Sequence, residues 1–262
     1  MTMRKTAPKP VPVILAWREI IPEMAKDLAG CSRTHAKGFE ITLNGRPVTT
    51  PNGHNLVVPT PQLADAIIAE LAETKGRLTG GVTSADLTMT RYGLTAIDRA
   101  QGDHRSKIEA DLLAKLDFDT IFYRAEQPAR LVAEQNRLWQ PIIAKLSHYF
   151  GGEFHTTTCF SVVRQSDALR QKIAAYLAHL SAHDLVVVAN LTGECGSLGL
   201  AIAAMTGLVT QSELISASFI EQEVQMQIWG EDDEARARLC DIELEIETIL
   251  RFFAMCHAGL EE

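Results

Sequence analysis

Residues 39–61 read FEITLNGRPVTTPNGHNLVVPTP, and the periodicity changes twice inside them. Phe39, Ile41 and Leu43 alternate with Glu40 and Thr42, the two-residue repeat of a strand that buries one face. Asn44-Gly45 supplies backbone tolerant of positive φ before Arg46–Thr50 returns, so a β-hairpin is predicted. A second Asn-Gly, Asn52-Gly53, precedes Asn55-Leu-Val-Val58 and extends the meander to a third strand. Pro59, Thr60 and Pro61 then stop the sheet. Thr60 suits an N-cap, Pro61 the first helical turn, and Leu63, Ile67 and Leu71 repeat every four residues toward an end at Gly76. The strand-like run Val82–Thr90 is expected to complete a small β-rich unit.

Downstream the spacing becomes helical, with Ile108, Leu112 and Leu116 on one stripe and Leu131, Gln135, Leu138 and Ile142 on another. Pro141 lies inside the second stripe, where it lacks an amide donor, and predicts a kink or restart beside Trp139. Asp167–Leu180 reads as helix, while His155–Val163 suits either a strand or a loop. Near the C-terminus Ile242, Leu244 and Ile246 alternate with glutamates as in a strand. The wider spacing of Ala235, Leu239, Ile242, Ile246, Ile249, Phe253 and Cys256, by fours and threes, instead predicts one helix of about 26 residues, ~39 Å long. The fold class is therefore α+β, with a small β-rich N-terminal domain and its N-terminal extension over 1–99 and a mainly α-helical C-terminal domain over 100–262.

Composition narrows the function. A chain of 262 residues with 46% hydrophobic and 22% charged side chains buries a core rather than staying disordered. A pI near 5.5 with no basic stripe argues against nucleic acid. Five widely spaced cysteines without a Cys-x-x-Cys pair suit a reducing compartment. The most apolar helix-sized run, Leu198–Val209, is shorter than the roughly 20 residues of a membrane span, so no membrane insertion is expected. Pro10 and Pro12 interrupt the apolar patch near the N-terminus, and no clear cleavage site follows, against a secretory signal. The acidity is local. Phe219–Glu247 holds ten acids against Arg236 and Arg238, a balance of −8 equal to that of the whole chain. Within this segment FIEQEVQMQIWGEDDEARAR, residues 219–238, joins a helix, a Trp-Gly break and an acidic cluster, the pattern of a surface for a partner or of a solvated helix face.

Chemistry is harder to find. His179 and His183 could face one metal from one helix, but no further ligand motif completes a shell. His104, His148, His155 and His257 stand alone in the sequence. Gly193-Glu-Cys-Gly-Ser-Leu-Gly199 lacks the spacing of a phosphate loop and reads better as a tight helix entry whose small residues allow close packing. Cys195 could be activated at a helix N-terminus, yet no base accompanies it. The run Glu231-Asp-Asp-Glu234 lacks the contrast of environments that acid–base pairs need. No catalytic residue, metal or cofactor is expected, although a small-molecule enzyme with an interdomain active site is the competing reading and a constitutive structural subunit a third.

A series of short motifs nevertheless occurs in a telling order: Leu43-Asn-Gly-Arg-Pro47, Leu56-Val-Val-Pro-Thr60, Thr90-Arg91, Thr95-Ala-Ile-Asp98, Phe122-Tyr-Arg-Ala125, Pro128, Leu131-Val132, Gln135, Trp139 with Pro141, Gly196-Ser-Leu198, Gln225 and Trp229-Gly-Glu-Asp-Asp-Glu-Ala235. In this order, over Gly38–Arg238, they resemble the ATP synthase assembly chaperones known as assembly factor twelve. The chain departs where Gln140 replaces the aspartate usual between Trp139 and Pro141, and where Gln222 and Gln227 stand at two positions of the 221–227 stretch that are usually acidic. The resemblance implies an ATP-independent holder of the unassembled alpha subunit of the catalytic head, acting as a monomer in the bacterial cytoplasm or, in eukaryotic relatives, in the mitochondrial matrix. It directs attention to Glu221, Gln225, Trp229, Glu231, Asp232 and Glu234 as client contacts, Trp229 being either an exposed anchor or an internal packing residue. Tyr123, Arg124, Trp139, Pro141, Gly196 and Ser197 would be structural parts of the motif.

Overall fold

The computed structural model describes residues 30–35, 38–43, 45–74, 87–159, 161–230 and 233–259. The chain divides into two compact units, residues 1–94 and 95–262. In the first, β1 (Gly30–His35) runs antiparallel to β2 (Gly38–Leu43), pairing Gly30 with Leu43 and His35 with Gly38. Along its other edge β2 pairs with β3 (Arg46–Pro47) through the predicted hairpin and with β4 (Val57–Val58). Gly45 takes the positive φ the turn requires. Gly38 is needed for a second reason: its φ is 140°, and a β-carbon there would lie 2.2 Å from the Val58 carbonyl oxygen. The strand preceding Gly38 is a correction, since that region carried no assignment. Its sequence GCSRTH shows no hydrophobic alternation, and the pairing with β2 defines it.

Helix α1 (Pro61–Thr74) begins as read, with the Leu63 amide donating to Thr60 Oγ1 at 3.2 Å. Leu63, Ala64, Ile67 and Leu71 are buried, as are Ile41, Leu43, Val48, Leu56 and Val58 of the sheet region. The predicted stop at Gly76 lies outside the described residues, as do 82–86 of the supposed last strand. The remainder of that strand is wrong: Thr88–Asp98 is helix α2. The Glu70 carboxylate of α1 accepts from the Met89 and Thr90 amides, both at 2.8 Å, and from Thr90 Oγ1 at 2.6 Å. A carboxylate brought from another helix thus satisfies amides that a β-branched run would otherwise leave to a sheet.

The second unit is a helical assembly. It contains α3 (Gly102–Lys115), two 3-10 turns (Leu116–Phe118 and Thr120–Phe122), α4 (Ala129–Phe150), α5 (Asp167–His179), α6 (Ala182–Cys195), α7 (Leu198–Met205), α8 (Gln211–Trp229) and α9 (Asp233–His257). The long terminal helix confirms the helical over the strand reading. Its 25 residues bury Ile246, Ile249, Phe252 and Cys256. Apolar throughout, α7 buries every residue from Leu198 to Ala203 and packs against α4, α6 and α8. Helix α4 runs unbroken through Pro141, so the expected restart is absent. Packing along Trp139, Ile142, Ile143 and Leu146, all buried, continues on both sides of the proline. The segment open between strand and loop is irregular apart from an isolated bridge between Tyr123 and Thr157.

Helix ends in this unit are closed by side chains from elsewhere. Arg105 of α3 donates to the carbonyls of Leu177, Ala178 and Leu180 at the end of α5. Lys172 of α5 donates to Phe150 and Gly151 at the end of α4, both at 2.8 Å. Cations at these carboxyl ends satisfy free carbonyls and oppose the helix dipole. At an amino end, the buried Asp119 carboxylate receives the Gly199 amide of α7 at 2.8 Å and the Ile121 amide at 3.3 Å.

Two buried titrating groups pull stability in opposite directions. Burial raises Asp119 to about 6, against lowering hydrogen bonds from Ser197 and the backbone. Burial lowers His183 to about 4, against the nearby Asp184 charge. The Asp119 contribution is full below its ordinary value and is lost as pH rises through about 6, whereas that of His183 is full above 6.5 and is lost as pH falls toward 4. Each amounts to on the order of 3 kcal/mol, so they largely cancel. In urea titrations between pH 4 and 7, Asp119→Asn should therefore lose stability on acidification more steeply than the parent, and His183→Gln less steeply. Parallel profiles for all three would refute the assignment.

Candidate protein-binding surface

Arg124, Gln135 and Trp139 of the motif converge on the seam between α4 and α8. Trp139 is fully buried, and its Nε1 donates to the Ala217 carbonyl at 2.8 Å. The Arg124 guanidinium stacks over the indole, 5.4 Å from its centroid, and donates to the Gln135 carbonyl and to Gln140 Oε1. Gln135, buried as well, accepts from the Ala125 amide and donates to Glu221 Oε1 at 2.9 Å. Tyr123 Oη donates to the Asp117 carbonyl at 2.7 Å. Pro141 is exposed on α4. Gly196 is a left-handed cap ending α6, and Ser197 caps α7 by accepting from the Leu200 amide. A β-carbon on Gly199 would sit 2.9 Å from Ile121 Cδ1, so the small residues here do permit close packing.

Beyond this seam α8 emerges from the core. Ala217, Glu221, Gln225 and Ile228 follow one face at spacings of 4, 4 and 3, and along it exposure increases from buried through half-buried to exposed. At the end Ile228 is 47% and Trp229 78% exposed, while Leu244 on α9 is 63% exposed. Trp229 is thus no packing residue. The first half of α9 buries nothing before Ile246, although its stripe residues Leu239 and Ile242 are half-covered. Glu234 is exposed and bonds Arg238 at 3.1 Å. Glu221 differs from the free rim expected of it: it is half-buried, tied to Gln135, and burial raises its pKa. Glu231 and Asp232 lie outside the described residues. Helix α8 carries Glu213, Glu221 and Glu223 without a single Lys or Arg.

The residues considered for catalysis do not meet. His179 and His183 fall on different helices, separated by the Ser181 cap, and His179 Nδ1 is 2.6 Å from the Ala175 carbonyl oxygen. Cys195 ends α6 rather than starting a helix, where the dipole disfavours a thiolate, and burial pushes its thiol up to about 11. His257, solitary in the sequence, pairs with Asp184 at 2.8 Å and joins the end of α9 to the start of α6. Among the described residues no group of three or more His, Cys, Asp or Glu could hold a metal ion, and no helix is long and apolar enough to cross a membrane.

These features define an α+β protein in which a small sheet unit precedes a helical unit with an exposed aromatic, acidic tip. Residues 25–147 match the family described as ATP12 chaperone protein. The crystal structure of Atp12 from Paracoccus denitrificans is similar at 26% identity and a TM-score of 0.77, covering 87% of this chain and 95% of that one. A point variant of the same Paracoccus protein matches equally well in TM-score, at 25% identity over the same shares. A putative chaperone from Agrobacterium tumefaciens matches at 25% identity and a TM-score of 0.77, over 88% of this chain and 85% of that one. Residues 25–147 thus resemble the ATP12 chaperone family, and the shared fold extends the likeness to the Atp12 structure over 87% of this chain.

The two conspicuous tryptophans should respond oppositely to substitution. Trp139→Phe removes the indole donor that ties α4 to the Ala217 carbonyl across a buried seam and should cost about 1 kcal/mol or somewhat more in urea unfolding. Trp229→Ala should alter stability by less than about 0.5 kcal/mol, as for an exposed side chain. Equal losses would contradict the placement of Trp229 outside the core.

Proposed function

We propose that this protein is an ATP-independent assembly chaperone that holds the unassembled alpha subunit of the ATP synthase catalytic head until a neighbouring subunit covers the client's contact surface. The match of residues 25–147 to a chaperone family and the likeness to Atp12 structures support the general role, and the exposure of Trp229 at the end of α8 carries the reading to a site. A ring subunit released from its neighbour exposes an apolar patch prone to aggregation. A transient holder needs an aromatic anchor for affinity and charge for encounter and orientation. Trp229 and Ile228 provide the anchor, Gln225 extends it, and Glu234 with the neighbouring Glu231 and Asp232 provides the acidic rim. Glu221 borders the contact from its seat on Gln135. The same acidity opposes pairing of two copies through this face, which favours a monomer acting in the bacterial cytoplasm. No turnover of a substrate enters this role.

Co-expression with the isolated alpha subunit tests it. Wild type should keep that subunit soluble, Trp229→Ala should lose most of the effect at unaltered stability, and Glu234→Lys should slow association at low salt. A subunit that aggregates equally with and without folded wild-type protein would end the proposal.

A further inference from the structure

We infer that the Arg124 guanidinium is a docking point for a carboxylate side chain of the polypeptide client, an inference that rests on the chaperone reading above. The geometry is that of a cation held in place but not neutralised. The indole of Trp139 supports one face, and the Gln135 carbonyl and Gln140 Oε1 each take one hydrogen bond. Both acceptors are neutral. Among the described residues no carboxylate reaches ion-pair distance, and Nε–H together with one N–H on each terminal nitrogen has no acceptor. Burial lowers the pKa of this group from the ordinary guanidinium value. A guanidinium half removed from water without an anion forfeits hydration that a planar carboxylate would replace through paired hydrogen bonds.

Position favours a polypeptide over a free small acid. Arg124 lies at the seam between α4 and α8, donating to the carbonyl of Gln135, whose side-chain amide in turn donates to Glu221 of α8. From there Glu221, Gln225 and Ile228 lead along one face to Trp229. Ala217, beneath Trp139, and Trp229 are about 18 Å apart along the helix at 1.5 Å per residue, a span suited to an extended or helical client segment. Beside α8, which carries glutamates and no Lys or Arg, a positioned cation would fix the register and direction of that segment. Gln140 is what leaves the cation available. A glutamate at position 140 would place a carboxylate oxygen where the amide oxygen already meets the guanidinium, 3.0 Å away.

The test measures binding of the isolated alpha subunit to the full-length protein at several salt concentrations, with thermal unfolding of each variant alongside. Arg124→Gln should weaken affinity on the order of tenfold and flatten its salt dependence. Arg124→Lys should recover only part, because an ammonium lacks the planar fork. Gln140→Glu supplies an internal carboxylate at the same atom, so it should weaken binding while leaving thermal stability equal or higher. Wild-type affinity in both Arg124→Gln and Gln140→Glu would overturn the inference and leave the chaperone reading intact, as would losses that merely follow unfolding temperature. Absence of binding by wild type would overturn both. Stabilisation by succinate that Arg124→Gln abolishes, with client affinity unaltered in that variant, would assign the site to small carboxylates and also overturn it.

Discussion

The buried indole of Trp139 fixes the rest of the helical unit. Its N–H has one acceptor, the Ala217 carbonyl, so α8 is held in register against α4 at one point along its length. Gln135, one helical turn earlier on α4, repeats the tie one turn later on α8 through Glu221. Two hydrogen bonds to desolvated groups set a position that apolar contact alone would leave free to slide. Past Glu221 another face of α8 still buries Val224 and Met226, and only the end of the helix presents Ile228 and Trp229 outside the core.

The same logic runs through the α-helical unit. Short connections leave helix ends facing neighbouring helices, and the free backbone groups are met by Arg105, Lys172 and Asp119 rather than by local caps alone. Each cross-helix cap spends side-chain entropy to fix an angle between elements. Asp119 and His183 show the cost of burial in opposite forms, one carboxyl favouring its proton and one imidazole refusing it. Their cancellation leaves the helical core less sensitive to mild acid than either group alone would make it.

Much of the fold could be read from local pattern. The hairpin at Asn44-Gly45, the Thr60 cap and the terminal helix each follow from residue chemistry within a few positions. What escaped reading depended on distant partners. Thr88–Thr90 looks like strand until Glu70 closes its amides, β1 has no apolar repeat and exists by pairing, and Pro141 is carried through by packing on either side. At the surface, acidity and the Trp-Gly break were visible, but the emergence of Trp229 was not decided by its sequence. Arg124 read as a structural motif residue because nothing local reveals that its facing acceptors are uncharged.

The likeness to ATP12 chaperones and an anchored helix with an exposed end underlie the proposed role, in which a rigid seam aims the tip at an unfinished protein surface. Hydrogen–deuterium exchange of the protein with and without the isolated alpha subunit addresses that account most directly. The account predicts slowed exchange concentrated in 221–230 and 233–245, with the Trp139 seam equally protected in both states. Protection confined to other surfaces, with these two stretches exchanging as in the free protein, would contradict it.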